Sequence, residues 1–222
     1  MKILVLGHLY GELDLINTYI EKSKCDFVLC IGDLGIYSRK NICESNFYEY
    51  LEGRKKFNKQ VIAVWGTYDD VSLCNKIVNK EFEIDNFHLI NNGEIFIHRD
   101  VKIGGLCGSY SPTVYRNENP KGIQKNHFNY KQVDRLKNSL DILLLYDLIG
   151  DCKKNQVNFS NESLDLFIKS DCAYAFVGKY QWWGSAKLPG RNIVMIPKAT
   201  KGYIILDTIT WDAEAIRFDL LL

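Results

Sequence analysis

The 222 residues carry 28 Lys and Arg against 27 Asp and Glu, and 46% of them are hydrophobic. A formal net charge of +1 argues against wholesale nucleic-acid binding through a basic surface, although a local basic patch is compatible with it. The seven cysteines include no C-x-x-C pair, which argues against a zinc knuckle and for reduced thiols. No apolar run has the length of a signal-peptide core or a membrane span, so we expect a single cytoplasmic domain over residues 1–222.

Short apolar runs alternate with helical patterns in the first eighty residues. The runs at residues 2–6, 26–31 and 60–65 are rich in Val, Ile and Leu and are each followed by a glycine, which predicts strands covered on both faces. Apolar residues at helical spacing predict helices over residues 12–24, 45–57 and 70–80. This order predicts a layered α/β sheet.

The remainder of the chain is predicted to be richer in strands. Apolar runs predict strands at residues 87–90, 94–97, 101–106, 141–146, 173–177, 192–196, 202–206 and 215–218, with helices at 130–139 and 162–169. Asn92-Gly93 between two of these runs predicts a tight hairpin. No linker or repeat divides the chain, which supports one α/β domain.

Polar loops follow five of the predicted buried strands. They read GHLYG from Gly7, GD from Gly32, GTYD from Gly66, YD from Tyr146 and GKYQ from Gly178. Ligands of open α/β sheets bind outside the carboxyl ends of the strands, so we expect these five loops to converge on one functional cleft.

The order and placement of these loops resemble the motifs D-x-H-G, G-D, G-N-H-[DE], H and G-H-x-H of calcineurin-like metallophosphoesterases. Intervening segments resemble RNA lariat debranching enzymes in particular: GELD from Gly11, IGGLCGSY from Ile103, Tyr115-Arg116, and His127 ahead of VDRLK. The resemblance extends over residues 1–218. It implies a four-layer α-β-β-α sandwich and, in an intact member, two metal ions that activate a phosphodiester.

The positions at which the family has its metal ligands and general acid are mostly altered. Only the bridging aspartate keeps its identity among the eight positions of this vestigial site, which are His8, Tyr10, Asp33, Thr67, Tyr68, Tyr146, Lys179 and Gln181. Phenols, with an ordinary pKa of ~10, and an ammonium group are poor ligands for two divalent metals. We therefore expect no cofactor, or at most one divalent metal at Asp33 and His8, and assign no catalytic residue.

Without metals, the Asp33 carboxylate needs other partners, because an unpaired buried charge is costly. We expect Lys179 or a tyrosine of the vestigial site to lie within hydrogen-bonding reach of it. The acidic pair after the third strand, Asp69 and Asp70, favours helix N-capping over metal ligation. The pair Trp182-Trp183 is compatible with an exposed binding platform or with a cover for the core.

Three functions are compatible with this pattern. The one we favour is a catalytically inactive pseudoenzyme that acts as a binding or scaffold module for a protein partner. The first alternative is an RNA- or nucleotide-binding module with candidate contacts on a locally basic segment, although such charges also occur on solvated helix faces. Those contacts are Tyr115, Arg116, Lys121, Lys125 and His127. The second alternative is a divergent phosphodiesterase with one metal or none.

Overall fold

The computed structural model describes residues 1–38, 45–118, 126–149 and 159–218. The candidate contacts Lys121 and Lys125 lie outside these described residues. The chain forms two compact units, residues 1–89 together with 197–222, and residues 90–196. In the part of the chain that the structure describes, no helix is both long and apolar enough to cross a membrane.

The first unit is built on a six-stranded mixed sheet. Strands β1 (Lys2–Leu6), β2 (Phe27–Ile31), β3 (Val61–Val64) and β4 (Phe87–Leu89) are parallel and adjacent in that order. Strand β11 (Gly202–Asp207) pairs antiparallel with β1, and β12 (Asp212–Arg217) continues the sheet as its edge. The three predicted strands of this region are confirmed, because β1 from Ile3 onward, β2 and β3 are fully buried.

Three helices connect the parallel strands of the first unit: α1 (Asp14–Ser23), α2 (Phe47–Leu51) and α3 (Val71–Val78). The helix predicted over residues 45–57 is too long, since α2 ends at Leu51. Gly53 has a φ of 71°, in the left-handed region that a continuing helix cannot use. Helix α3 begins as predicted, with the Asp70 carboxylate accepting hydrogen bonds from the amides of Ser72 and Leu73.

The second unit contains the other six-stranded mixed sheet. Its strands, in spatial order, are β5 (Ile95–His98), β6 (Val101–Leu106), β7 (Ile142–Leu145), β8 (Tyr174–Val177), β10 (Arg191–Met195) and β9 (Gly184–Leu188). The four central strands are parallel, and both edge strands are antiparallel to their neighbours. Strand β9 was not predicted, because its sequence GSAKL lacks β-branched residues and its burial alternates.

Helices α4 (Pro112–Tyr115), α5 (Tyr130–Arg135) and α6 (Asn161–Ser170) complete the second unit. Helix α5 begins at a capping box of Asn129 and Gln132 and is shorter than the predicted 130–139. The core of this unit joins Leu143, Leu145, Ala175 and Val177 of the central strands to helix residues such as Phe167. The predicted α/β class is thus confirmed in both units.

Candidate functional site

The loops after β1 and β2 bring together a buried histidine and a buried aspartate. His8 Nδ1 lies 3.0 Å from Asp33 Oδ2, and the two side chains are 0% and 1% exposed. The other carboxylate oxygen, Oδ1, accepts a hydrogen bond of 3.1 Å from the Tyr68 amide. Both carboxylate oxygens of Asp33 therefore contact groups of the protein itself.

Two tyrosines stand beside this pair. The Tyr10 ring stacks on His8 with a centroid separation of 5.4 Å and meets Tyr68 edge-on at 6.4 Å. The Lys198 ammonium lies 5.5 Å from the centre of the Tyr10 ring, within cation–π range. Tyr68 is 69% exposed. Tyr68 therefore projects into solvent.

Asp69 fixes the backbone of the loop after β2. Its Oδ1 accepts from the amides of Gly35 (2.8 Å) and Ile36 (2.9 Å), and its Oδ2 accepts from those of Leu34 (3.0 Å) and Gly66 (2.8 Å). Burial, and to a smaller extent Asp33, raise the pKa of Asp69 to about 6, although the amide donors lower it. The N-cap role expected of the acidic pair is thus fulfilled by Asp70 alone, and Asp69 instead holds the loop in place.

In the second unit, Lys179 forms an ion pair with Asp147. The Lys179 Nζ lies 2.6 Å from Asp147 Oδ2, which also accepts a hydrogen bond from the Tyr110 amide at 3.0 Å. Burial raises the pKa of Asp147, and the Lys179 ammonium only partly offsets this effect. Of the partners expected for Asp33, Tyr68 reaches it through its backbone amide, whereas Lys179 pairs with Asp147. Asp147 and Lys179 meet because each follows one of the adjacent parallel strands β7 and β8 by two residues.

The other two vestigial positions of the second unit differ in burial. Tyr146, directly before Asp147, is 2% exposed, whereas Gln181 is exposed. Asp147 was not predicted as a site residue, although its place at a strand end was a usable signal. Trp182 is partly buried and packs against the core of the second unit, which favours the core-cover interpretation for this tryptophan.

Three of the eight vestigial positions have an unusual backbone. Tyr10, Asp33 and Lys179 have φ angles of 48°, 38° and 38°, in the left-handed region that L-residues seldom adopt. Each such residue costs about 1–3 kcal/mol unless its surroundings compensate, and such residues cluster at functional sites. Each of these three loops thus contains a backbone conformation of the kind that clusters at functional sites.

The described members of the candidate nucleic-acid segment are largely engaged with neighbouring residues. His127 Nδ1 lies 3.0 Å from both the hydroxyl and the carbonyl oxygen of Ser109. Tyr115 is half-buried against the core of the second unit, and burial raises its pKa. Arg116 is exposed. Of these three residues, Arg116 is the one placed to meet a phosphate from solvent.

The residues present do not fit a two-metal centre. In the first unit they offer one carboxylate and one imidazole that face each other at 3.0 Å, together with hydroxyl groups. In the second unit they offer a phenol, an amide and an ammonium that is already paired with a carboxylate. Divalent phosphoesterase metals need several carboxylate, imidazole or amide donors around a shared point. Among the described residues, no group of three or more His, Cys, Asp and Glu side chains is arranged to hold a metal ion.

Comparison with known proteins identifies relatives in sequence and in fold. No protein-family model matches the chain. Lariat debranching enzyme A of Xenopus laevis is 26% identical over 255 aligned positions, which cover 93% of this chain and 48% of the relative. The chain therefore spans about half the length of this relative.

Two of the solved structures that share the fold align over nearly the whole of this chain. The protein TT1561 of Thermus thermophilus has a TM-score of 0.63 at 15% identity, over 97% of this chain and 98% of that protein. A putative 5'-nucleotidase of Staphylococcus aureus has a TM-score of 0.55 at 13% identity, over 97% of this chain and 52% of that protein. The chain is thus similar in sequence to a lariat debranching enzyme, and it shares the α/β fold of TT1561 and of the putative 5'-nucleotidase.

Proposed function

We propose that this chain is a catalytically inactive metallophosphoesterase-like protein that acts as a binding module for another protein. The observation that carries the proposal is the engagement of the retained ligand. Asp33 Oδ2 faces His8 at 3.0 Å and Oδ1 accepts from the Tyr68 amide, so a metal would have to displace an interaction that the fold already makes.

The second unit supports the same conclusion. Lys179 occupies a position at which the family has a ligand histidine, and its ammonium is held 2.6 Å from the buried Asp147. A fixed positive charge repels divalent cations, and the pair cannot open without leaving Asp147 buried and unpaired. The altered positions therefore form new internal contacts, as expected of a scaffold whose chemistry has been lost.

A phosphoesterase also needs a group that protonates the leaving oxygen. Tyr68 stands at that position, and a phenol is a weaker acid than an imidazolium at neutral pH. The ring is 69% exposed, which suits contact with a partner better than proton transfer in a dry site. Exposed tyrosines are frequent at protein interfaces because they bury a large area at little cost in conformational entropy.

RNA binding without chemistry is the competing function, favoured by the 26% identity to a lariat debranching enzyme. The geometry gives it less support. The exposed Lys131 at the start of α5 pairs with Glu118 at 2.6 Å, and the His127 ring is held by Ser109. Because the chain spans less than half of that relative, the activity of the whole relative does not transfer automatically.

Metal content and turnover test the proposal together. The protein is dialysed against Mn²⁺, Zn²⁺ or Fe²⁺, its bound metal is quantified, and hydrolysis of bis(p-nitrophenyl) phosphate and of a branched RNA is followed. We expect fewer than two metals per chain and the same background rate for wild type and Asp33→Ala, with a lariat debranching enzyme as the positive control. Two bound metals, or metal-dependent turnover that Asp33→Ala abolishes, would overturn the proposal. Salt-sensitive binding of branched RNA without turnover would favour the RNA alternative.

A further inference from the structure

A cavity of about 430 Å³ opens on the surface of the first unit between helices α2 and α3. Its apolar lining consists of Tyr48 and Leu51 from α2, Leu73 from α3, and Phe82 from the segment after α3. All four side chains are half-buried. The volume lies within the range of protein ligand pockets, so this Phe82 groove can accept a large apolar side chain.

The walls of the Phe82 groove are fixed by backbone hydrogen bonds. The amides of Glu81 and Phe82 both donate to the Lys76 carbonyl, at 2.8 and 3.2 Å, which folds the segment back over the end of α3. On the facing wall, the Glu52 amide donates to the Tyr48 carbonyl at 3.0 Å and closes α2. A groove held in this way needs little ordering when a ligand enters, which lowers the entropic cost of binding.

The rim of the groove is acidic. Glu52, Glu81 and Glu83 line it, and all three residues are exposed. Arg54 pairs with Glu52 and Lys76 lies 5.2 Å from the Phe82 ring centre, so these two cations partly offset the charge. Glu81 and Glu83, whose side chains are exposed, directly precede and follow Phe82 in the sequence. The surface thus combines an apolar floor with a negative edge.

We propose that the Phe82 groove binds a segment of a partner protein in which a large apolar residue is flanked by Lys or Arg. The apolar residue would occupy the space between Leu51, Leu73 and Phe82, and the flanking cations would meet Glu81 and Glu83. Burial of the apolar side chain supplies most of the affinity, and the complementary charges supply selectivity and speed of association. This inference names a partner class for the proposed binding module, but it uses none of the vestigial-site residues.

The test is direct binding of short labelled peptides, measured by fluorescence polarisation. The probe is KKLFKK, and the comparison peptides are EELFEE and KKGGKK. We expect the probe to bind and both comparison peptides to bind at least about tenfold more weakly. EELFEE lacks the flanking cations, and KKGGKK lacks a large apolar residue. Equal binding of all three peptides would overturn the proposal.

Variants of the chain make the test specific for this surface. The double change Glu81→Lys and Glu83→Lys alters only exposed side chains, so the fold is retained, and we expect the probe to bind about tenfold more weakly. The matched control is Glu21→Lys with Glu214→Lys, which makes the same charge change on α1 and β12 and should leave binding within about twofold.

The remaining outcomes are also decisive. Unchanged probe binding by the Glu81 and Glu83 variant would overturn the proposal. So would concentration-dependent dimerisation that the same variant abolishes, because the occupant would then be a second copy of this chain. Failure of the probe to bind would overturn this proposal too, but it would leave the metal and turnover results untouched, so this proposal and the proposed function can fail separately.

Discussion

Replacement of Asp69 by asparagine should lower the free energy of unfolding more than a change of similar size at a neighbouring residue does. The carboxylate accepts four backbone hydrogen bonds of 2.8–3.0 Å, two on each oxygen. Asparagine keeps one acceptor oxygen and presents an NH₂ group to the other two amides. Two buried donors then lose their partner, at about 1–3 kcal/mol each, so Asp69→Asn should lower the free energy of unfolding by about 2–6 kcal/mol.

The neighbouring Asp70→Asn is the matched control, because asparagine caps a helix about as well as aspartate does. Urea unfolding followed by tryptophan fluorescence at pH 8, where the wild-type Asp69 is ionised, measures both variants. With a dependence of about 3 kcal/mol per molar urea, the midpoint of Asp69→Asn should fall by about 0.7–2 M, and that of Asp70→Asn by less than about 0.3 M. Equal midpoints for the two variants would refute the reasoning from the four hydrogen bonds.

Three further outcomes test the contacts that hold these loops. Burial raises the pKa of Asp69 to about 6, so the folded state binds more protons than the unfolded state between pH 4 and 6. The stability advantage of wild type over Asp69→Asn should therefore shrink as pH rises through that window. An advantage that grows would mean that the amide donors outweigh burial. Lys179→Met should lower the free energy of unfolding by about 1–3 kcal/mol, and adding Asp147→Asn should recover part of the loss. An additive double-mutant cycle in urea unfolding would contradict a direct pair. Gly35→Ala, whose new Cβ would lie 2.1 Å from a backbone nitrogen, should cost more than about 3 kcal/mol in the same assay, whereas Gly53→Ala, with open space around its Cβ, should cost only about 1 kcal/mol.

Local pattern sufficed for the buried strands of the first sheet and for one helix cap. It failed for the hairpin predicted at Asn92-Gly93, since β4 pairs with β3 and β5 pairs with β6 in the other sheet. The apolar runs that became β1, β2 and β3 are continuous and β-branched, and only a sheet covered on both faces buries such runs completely. The Asp70 cap was predictable because its partners lie two and three residues away. The exposed edge strand β12 was misplaced by a few residues, since its exposed residues carry little hydrophobic signal.

The sequence by itself determined that Asp33 stands among phenol, hydroxyl, amide and ammonium side chains in the loops that resemble the metallophosphoesterase motifs, because residue type alone decides which side chains can hold a divalent metal. Tertiary structure alone decided what replaced the lost contacts. Lys179 contacts Asp147, 32 residues away in the sequence, and Asp69 accepts hydrogen bonds from loop amides 33 to 35 residues away. His8 and Asp33 likewise meet because they follow adjacent strands. Such partners are chosen by which loops the parallel strands bring together and which charges are buried there, and neither is encoded in the spacing of residues along the chain.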